Sequence, residues 1–173
     1  IVAPISVSAV IDSLGKPVRR TKVGSPFVVA AIEETGATFG FEANGGGIFK
    51  RMLSRDAGDT AIQMLNLLKN TGKSLGQLIN ELPQFHLYRT KTDCPFEKAE
   101  IILSAAEKEF GGVKTEKIDG LKIWLSDSEW VLFRSSQNAP EFRVFAEAKT
   151  KDGAEKLGQR GIELVKSILR KIS

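Results

Sequence analysis

The hydrophobic pattern of this chain changes character at Pro83, and no single layer of structure accommodates both sides of the change. Before Pro83, short Val/Ile-rich runs alternate with helical stretches, the rhythm of an α/β layer. Residues 1–11 and 17–22 read as strands separated by the turn-forming Ser13-Leu14-Gly15-Lys16-Pro17. SPFVVAAIEETG predicts a helix closed by Gly36, and Thr38 to Phe41 a strand leading into Gly45-Gly46-Gly47. RDAGDTAIQMLNLLKNTG predicts a helix with Ala61, Met64, Leu65 and Leu68 on one face, Asp56 or Asp59 placed to cap it and Gly72 to stop it. Ser74 caps a further helix, LGQLINEL, which Pro83 ends.

Beyond Pro83 the order is helix, strands, helix. Gln84 to Thr92 reads as extended, and Cys94-Pro95 opens a helix to about Phe110. Val113–Ile118, Leu121–Leu125 and Trp130–Arg134 are strand-like, the first two joined by Asp119-Gly120, the signature of a tight hairpin. Phe142 to Ala148 is a further strand, and Asp152 starts a last helix whose Leu157, Leu164, Val165, Ile168 and Leu169 face a core. The fold class is therefore α/β. An αβα-layered domain with a mixed sheet fills 1–84, and an α+β domain on an antiparallel sheet fills 85–173, with a hinge near Gln84 to Thr92.

No apolar run approaches the ~20 residues that cross a bilayer, so no membrane partner is expected. A lone Cys94 excludes an internal disulfide, and no Cys/His cluster has metal-ligand spacing; the cytoplasm is the default compartment. The start, IVAPISVSAVI, lacks the basic lead of a signal peptide and reads as a strand entered from something upstream. A net charge of +4 suits anionic partners such as phosphates. Nucleic acid is not expected, because an RRM-type aromatic motif is missing and Tyr88 is the single tyrosine. The sole histidine, His86, reads as a strand residue, Cys94 as a helix-start residue, and Trp124 and Trp130 as sheet packing.

Two segments carry chemistry. In Phe39-Gly40-Phe41-Glu42-Ala43-Asn44-Gly45-Gly46-Gly47, a carboxylate and an amide two residues apart suit a sugar diol, and the glycines let backbone approach; a plain glycine turn is the alternative. In the stretch from Trp130 to Arg143, a strand delivers Arg134 into a small polar loop, Ser135-Ser136-Gln137-Asn138-Ala139-Pro140, and Arg143 opens the next strand. Guanidinium forks, a hydroxyl, an amide and backbone N–H groups can converge there on one phosphate; a polar connection with solvated arginines is the alternative.

In this order the segments resemble the last two domains of the α-D-phosphohexomutases, the phosphoglucomutase, phosphomannomutase and phosphoglucosamine mutase superfamily. The first is similar to the sugar-recognition loop G-E-x-S-G-H, with Glu42, Asn44 and Gly46 at the Glu, Ser and His positions. The second is similar to the phosphate loop R-x-S-G-T-E-P-x-x-R, matched by Arg134, Ser136, Pro140 and Arg143. Arg20-Thr21-Lys22-Val23-Gly24 resembles a stretch whose lysine, here Lys22, reaches the substrate. RDAGDTA, LGQLINELPQF and RVFAEAKT are likewise similar to the third and fourth domains. Gln137-Asn138-Ala139 replaces Gly-Thr-Glu: the glycine that permits φ > 0 is lost, Asn138 can donate in place of threonine, and Ala139 supplies no carboxylate.

The resemblance implies a TATA-binding-protein-like second domain and a full-length enzyme interconverting hexose 1-phosphate and hexose 6-phosphate through a phosphoserine, Mg2+ and a hexose 1,6-bisphosphate. It assigns sugar binding to Lys22, Glu42, Asn44 and Gly46, and phosphate binding to Arg134, Ser136, Gln137, Asn138 and Arg143. The partners it implies are the phosphosugar and upstream domains of the same polypeptide. The phosphoserine loop T-x-S-H-N-P and the metal loop D-G-D-x-D-R are absent from these residues, so no catalytic or metal residue is expected here and the chain alone is expected to be inactive. A non-catalytic interaction module derived from a mutase and a basic nucleic-acid binder are the alternatives.

Overall fold

A computed structural model describes residues 1–111 and 114–172, which fall into two compact units, one up to Gln84 and one from Phe85 on. The first unit is built on a five-stranded mixed sheet: β1 (Val2–Pro4), β2 (Arg19–Thr21), β3 (Phe39–Phe41), β4 (Gly47–Phe49) and β5 (Met52–Asp56), in the order β2-β1-β3-β4-β5. The first three are parallel, and β4 and β5 add as antiparallel hairpin strands. Helix α1 (Ser25–Thr35), closed by Gly36 at φ 67°, packs Val28, Ala31 and Ile32 with Val2 and Ile48. It lies so close to the sheet that a Cβ on Gly40 would stand 2.7 Å from Val28 Cγ1.

Three sequence expectations change in this unit. The strand over 1–11 shrinks to three residues, because Ser8 accepts a hydrogen bond from Val10 N and starts a 3-10 helix over Ala9–Leu14. The apolar residues that suggested a longer strand, Val7 and Ile11, join Ala3 in a small core of their own. Arg55 and Asp56, read as the start of a helix, end β5, and α2 (Ala57–Thr71) begins after them. Asp56 caps α2 by accepting from Asp59 N, and Gly72 ends it, yet no residue of α2 is buried: Leu65 is 64% exposed. Its apolar stripe is present but faces no core of this unit. Helix α3 (Leu75–Asn80) carries a reciprocal cap between Ser74 and Gln77.

The second unit contains β6 (His86–Asp93), α4 (Ala99–Phe110), β7 (Lys114–Glu116), β8 (Leu121–Ser126), β9 (Glu129–Ser135), β10 (Glu141–Ala148) and α5 (Lys151–Lys171). The sheet runs β6-β10-β9-β8-β7 and is antiparallel throughout. Both helices cover one face, where Ile102, Phe110, Ile162 and Val165 meet Ile123, Val131, Phe133, Phe142 and Val144. Strand alternation sends Lys122, Trp130 and Arg134 to the opposite face.

The segment read as an extended hinge is largely β6, paired with β10 along all eight of its residues, so the hinge expectation is limited to the few residues before His86. Val113, in the predicted strand 113–118, lies outside the described residues. Asp119-Gly120 belongs to a wider loop between Glu116 and Leu121; the two-residue turn is Asp127-Ser128, between paired Ser126 and Glu129. Helix α5 starts at Lys151, one residue before the expected Asp152, and Thr150 caps it by accepting from Gly153 N; a 3-10 turn over Phe96–Lys98 separates Pro95 from α4. Among the described residues no helix is long and apolar enough to cross a membrane.

Candidate functional site

In the first unit the chain turns between β3 and β4 through Glu42-Ala43-Asn44-Gly45-Gly46. Gly45 N donates to Glu42 O at 3.2 Å, and Gly45 and Gly46 adopt φ of 89° and 78°, which a side chain would strain. The turn rims an open cleft of about 720 Å³, lined in part by Ser25, Pro26, Asn44, Gly45, Gly46 and Arg55. Glu42 is only 7% exposed and does not line it; its carboxylate lies 3.5 Å from Arg55 Nη1. Lys22 stays outside as well, its Nζ 5.8 Å from the Phe27 ring centroid. Of the four residues marked for sugar, the structure thus brings Asn44 and Gly46 to the cleft and couples Glu42 to it through Arg55. Arg55 was missed because RDAGDTA reads as the start of a helix, whereas Arg55 and Asp56 end β5. The cleft offers hydroxyls an amide that donates and accepts, from Asn44, and a guanidinium that donates, from Arg55.

In the second unit β9 delivers Arg134 to the edge of the loop Ser136–Pro140. Arg134 and Ser136 are nearly buried, at 4% and 2% exposure. Arg134 Nε donates to Asp119 Oδ2 at 2.6 Å. The loop is drawn tight by Ser136 N donating to Glu141 O (2.9 Å), Glu141 N to Ala139 O (2.7 Å) and Asn138 N to Ser136 Oγ (3.3 Å). No non-glycine residue described has positive φ, so with Gln137 in the glycine position this loop is not an αL nest, and the N–H groups of Ser136 and Asn138 are used within this segment. A cleft of about 400 Å³ beside it is lined in part by Phe96, Glu100, Asp119, Arg134, Ser136 and Gln137.

Asn138 and Arg143 do not line that cleft. Arg143 donates through Nε and Nη2 to Glu141 Oε1, at 2.8 and 2.6 Å, and Lys91 Nζ donates to Glu141 Oε2 at 2.6 Å. These bonds, Lys91's foremost and Arg143's next, hold the Glu141 carboxyl below the ordinary glutamate range. Asp119, Glu141 and Lys91 were not marked from sequence. Asp119 was hidden by its reading as a turn residue, Glu141 and Lys91 by the distance of 50 positions between them. Among the described residues no group of three or more His, Cys, Asp or Glu is placed to hold a metal ion.

Residues 1–85 match the family model of the phosphoglucomutase/phosphomannomutase α/β/α domain III. The chain is 35% identical over 176 residues to a phosphoglucomutase/phosphomannomutase of Thermococcus kodakarensis, covering 98% of this chain and 38% of the relative. It is 32% identical to a phosphoglucosamine mutase of Methanococcus maripaludis, covering 95% of the chain and again 38% of the relative. The fold is shared with a phosphoglucomutase/phosphomannomutase family protein of Burkholderia thailandensis, at a TM-score of 0.74 and 19% identity, over 96% of this chain and 37% of that one. It is shared also with the N-acetylphosphoglucosamine mutase of Aspergillus fumigatus, solved with GlcNAc-6P and magnesium, at a TM-score of 0.68 and 14% identity, over 96% of this chain and 38% of that one. The chain therefore spans a little over a third of the length of these proteins. With a matching third domain in residues 1–85 and relatives aligned across nearly all of its residues, the chain belongs to the α-D-phosphohexomutase superfamily.

Proposed function

We propose that this chain is the sugar- and phosphate-gripping part of a phosphohexomutase that interconverts hexose 1-phosphate and hexose 6-phosphate. Residues 1–84 act as the third domain, offering Asn44, Gly46, Lys22 and the Glu42–Arg55 pair to sugar hydroxyls. Residues 85–173 act as the C-terminal domain, holding the non-reacting phosphate through Arg134, Ser136, Gln137, Asn138 and Arg143. Phosphoryl transfer, with its serine and magnesium, is assigned to the rest of the polypeptide, and this chain alone turns over no hexose phosphate. The observation that supports this reading best is the nearly buried Arg134, oriented by Asp119 at the edge of a cleft beside a buried serine. A guanidinium is taken out of water at a cost, and an incoming dianion is a partner that offsets it.

Calorimetric or NMR titration with glucose 1-phosphate and mannose 1-phosphate tests the reading. Saturable binding is expected for the wild type, at millimolar strength, and at least tenfold weaker binding for Arg134→Ala, the loss of one strong charge-assisted contact. Equal binding by the variant, or none by the wild type, would refute the assignment of the phosphate loop. Measurable mutase turnover by the chain alone would refute the division of labour.

A further inference from the structure

Arg134, Arg143 and Lys91 stand directly opposite one another on three neighbouring strands: Arg143 pairs with Arg134 of β9 on one side and with Lys91 of β6 on the other. Directly opposed residues of antiparallel strands share a face, and like charges so placed repel. Two carboxylates offset the row. Asp119 takes Arg134 Nε, and Glu141 takes Arg143 through one oxygen and Lys91 through the other. Glu141 is the first residue of β10, closer to the loop than Arg143, so both cations lean along the sheet towards Ser136–Pro140. In both arginines the edge that carries Nε is tied to a carboxylate, while the Nη1 atoms make no described hydrogen bond. The loop itself carries no carboxylate, since Ala139 stands at the motif's glutamate position.

We propose that Glu141 is a positioning residue that gathers Arg143 and Lys91 at the mouth of the loop, making Lys91 a further cation for the ligand's phosphate. The inference rests on the reading of this loop as a phosphate site. It also explains why Arg143 does not line the cleft beside Arg134: Glu141 holds it on the β6 side, where it and Lys91 flank the loop from the other edge.

The test turns on a sign. If Glu141 acted only as a negative charge near an anion site, its removal would tighten binding; if it positions cations, its removal weakens it. Glucose 1-phosphate is titrated into wild-type chain, Glu141→Ala, Lys91→Ala, the double variant and Arg134→Ala, with thermal unfolding confirming that each is folded. Glu141→Ala is expected to bind about fivefold more weakly and Lys91→Ala about threefold. The double variant is expected to be no worse than about fivefold, because the two residues act as one unit. The Arg143 Nε–H resonance, protected in the free wild type by its carboxylate, is expected to broaden in Glu141→Ala before any ligand is added. Should Glu141→Ala not fold, Glu141→Gln, which keeps an acceptor, serves with an expected loss of about twofold. Unchanged or tighter binding by the Glu141 variants, with Arg134→Ala still impaired, would overturn the positioning role and leave the phosphate loop standing. No binding by the wild type would overturn both.

Discussion

Gly120→Ala is expected to destabilise the second unit by about 3 kcal/mol and to weaken sugar-phosphate binding in the same protein. Gly120 has φ +86°, where an L side chain costs about 1–2 kcal/mol. The larger effect is steric. A Cβ would lie 2.2 Å from Phe133 O and 3.0 Å from Arg134 Cα, both backbone atoms of a central strand that cannot yield. The loop before β8 has to lift from β9, and Asp119 leaves Arg134 as it does. A nearly buried guanidinium would lose its carboxylate, which adds a desolvated, unpaired charge to the strain. Both tryptophans, Trp124 and Trp130, lie in this unit, so tryptophan fluorescence during denaturant unfolding follows it alone. Gly111→Ala is the control: its φ is +44° with nothing within 4 Å, and a shift of only about 1 kcal/mol is expected. Equal shifts for the two variants would show that the close approach at Gly120 does not constrain the loop.

What was legible in the sequence was local. Gly36 and Gly72 end helices in the left-handed conformation, Asp56 caps α2, and Ser74 with Gln77 forms a capping box, each signal lying within four residues of the bond it makes. Strand lengths were not legible, because β1 is defined by partners far along the chain: Val2 pairs with Arg19 and with Gly40. The stripe on α2 was visible as periodicity, but periodicity names a face and not what the face meets. Ile62, Leu65 and Leu67 remain exposed, as do Leu75 and Ile79 on α3.

The site divides in the same way. Arg134 and Ser136 are found by motif because the chain itself delivers them to one loop. Asp119 orients Arg134 across 15 positions and Arg55 meets Glu42 across a hairpin, pairings that exist only once the sheets are assembled. The motif also could not show how Arg143 would be used. Its guanidinium is set by Glu141, a residue at a position the motif leaves open.

Trp130→Ala is expected to be the most damaging single change in the chain. Trp130 is fully buried, its Nε1 donates to Glu147 Oε1 at 2.8 Å, and Lys122 Nζ lies 4.0 Å from its ring centroid. Truncating a buried tryptophan costs about 3–5 kcal/mol. Taking the indole donor from a fully buried carboxylate adds about 1–3 kcal/mol, and a cation–π contact goes with it. A domain with roughly 5–15 kcal/mol to lose would be left near its unfolding midpoint. Calorimetry should show the transition of the second unit lost or strongly lowered, with that of the first retained. Trp130→Phe keeps the ring under Lys122 but removes the donor, and about 2 kcal/mol of destabilisation is expected. Its value is functional. Trp130, Leu132 and Arg134 alternate onto one face of β9, with Leu132 between the tryptophan and the arginine. A folded Trp130→Phe that binds glucose 1-phosphate less tightly would show that packing along this face of β9 helps to align the arginine. Unchanged affinity despite lowered stability would show that Asp119 aligns it alone.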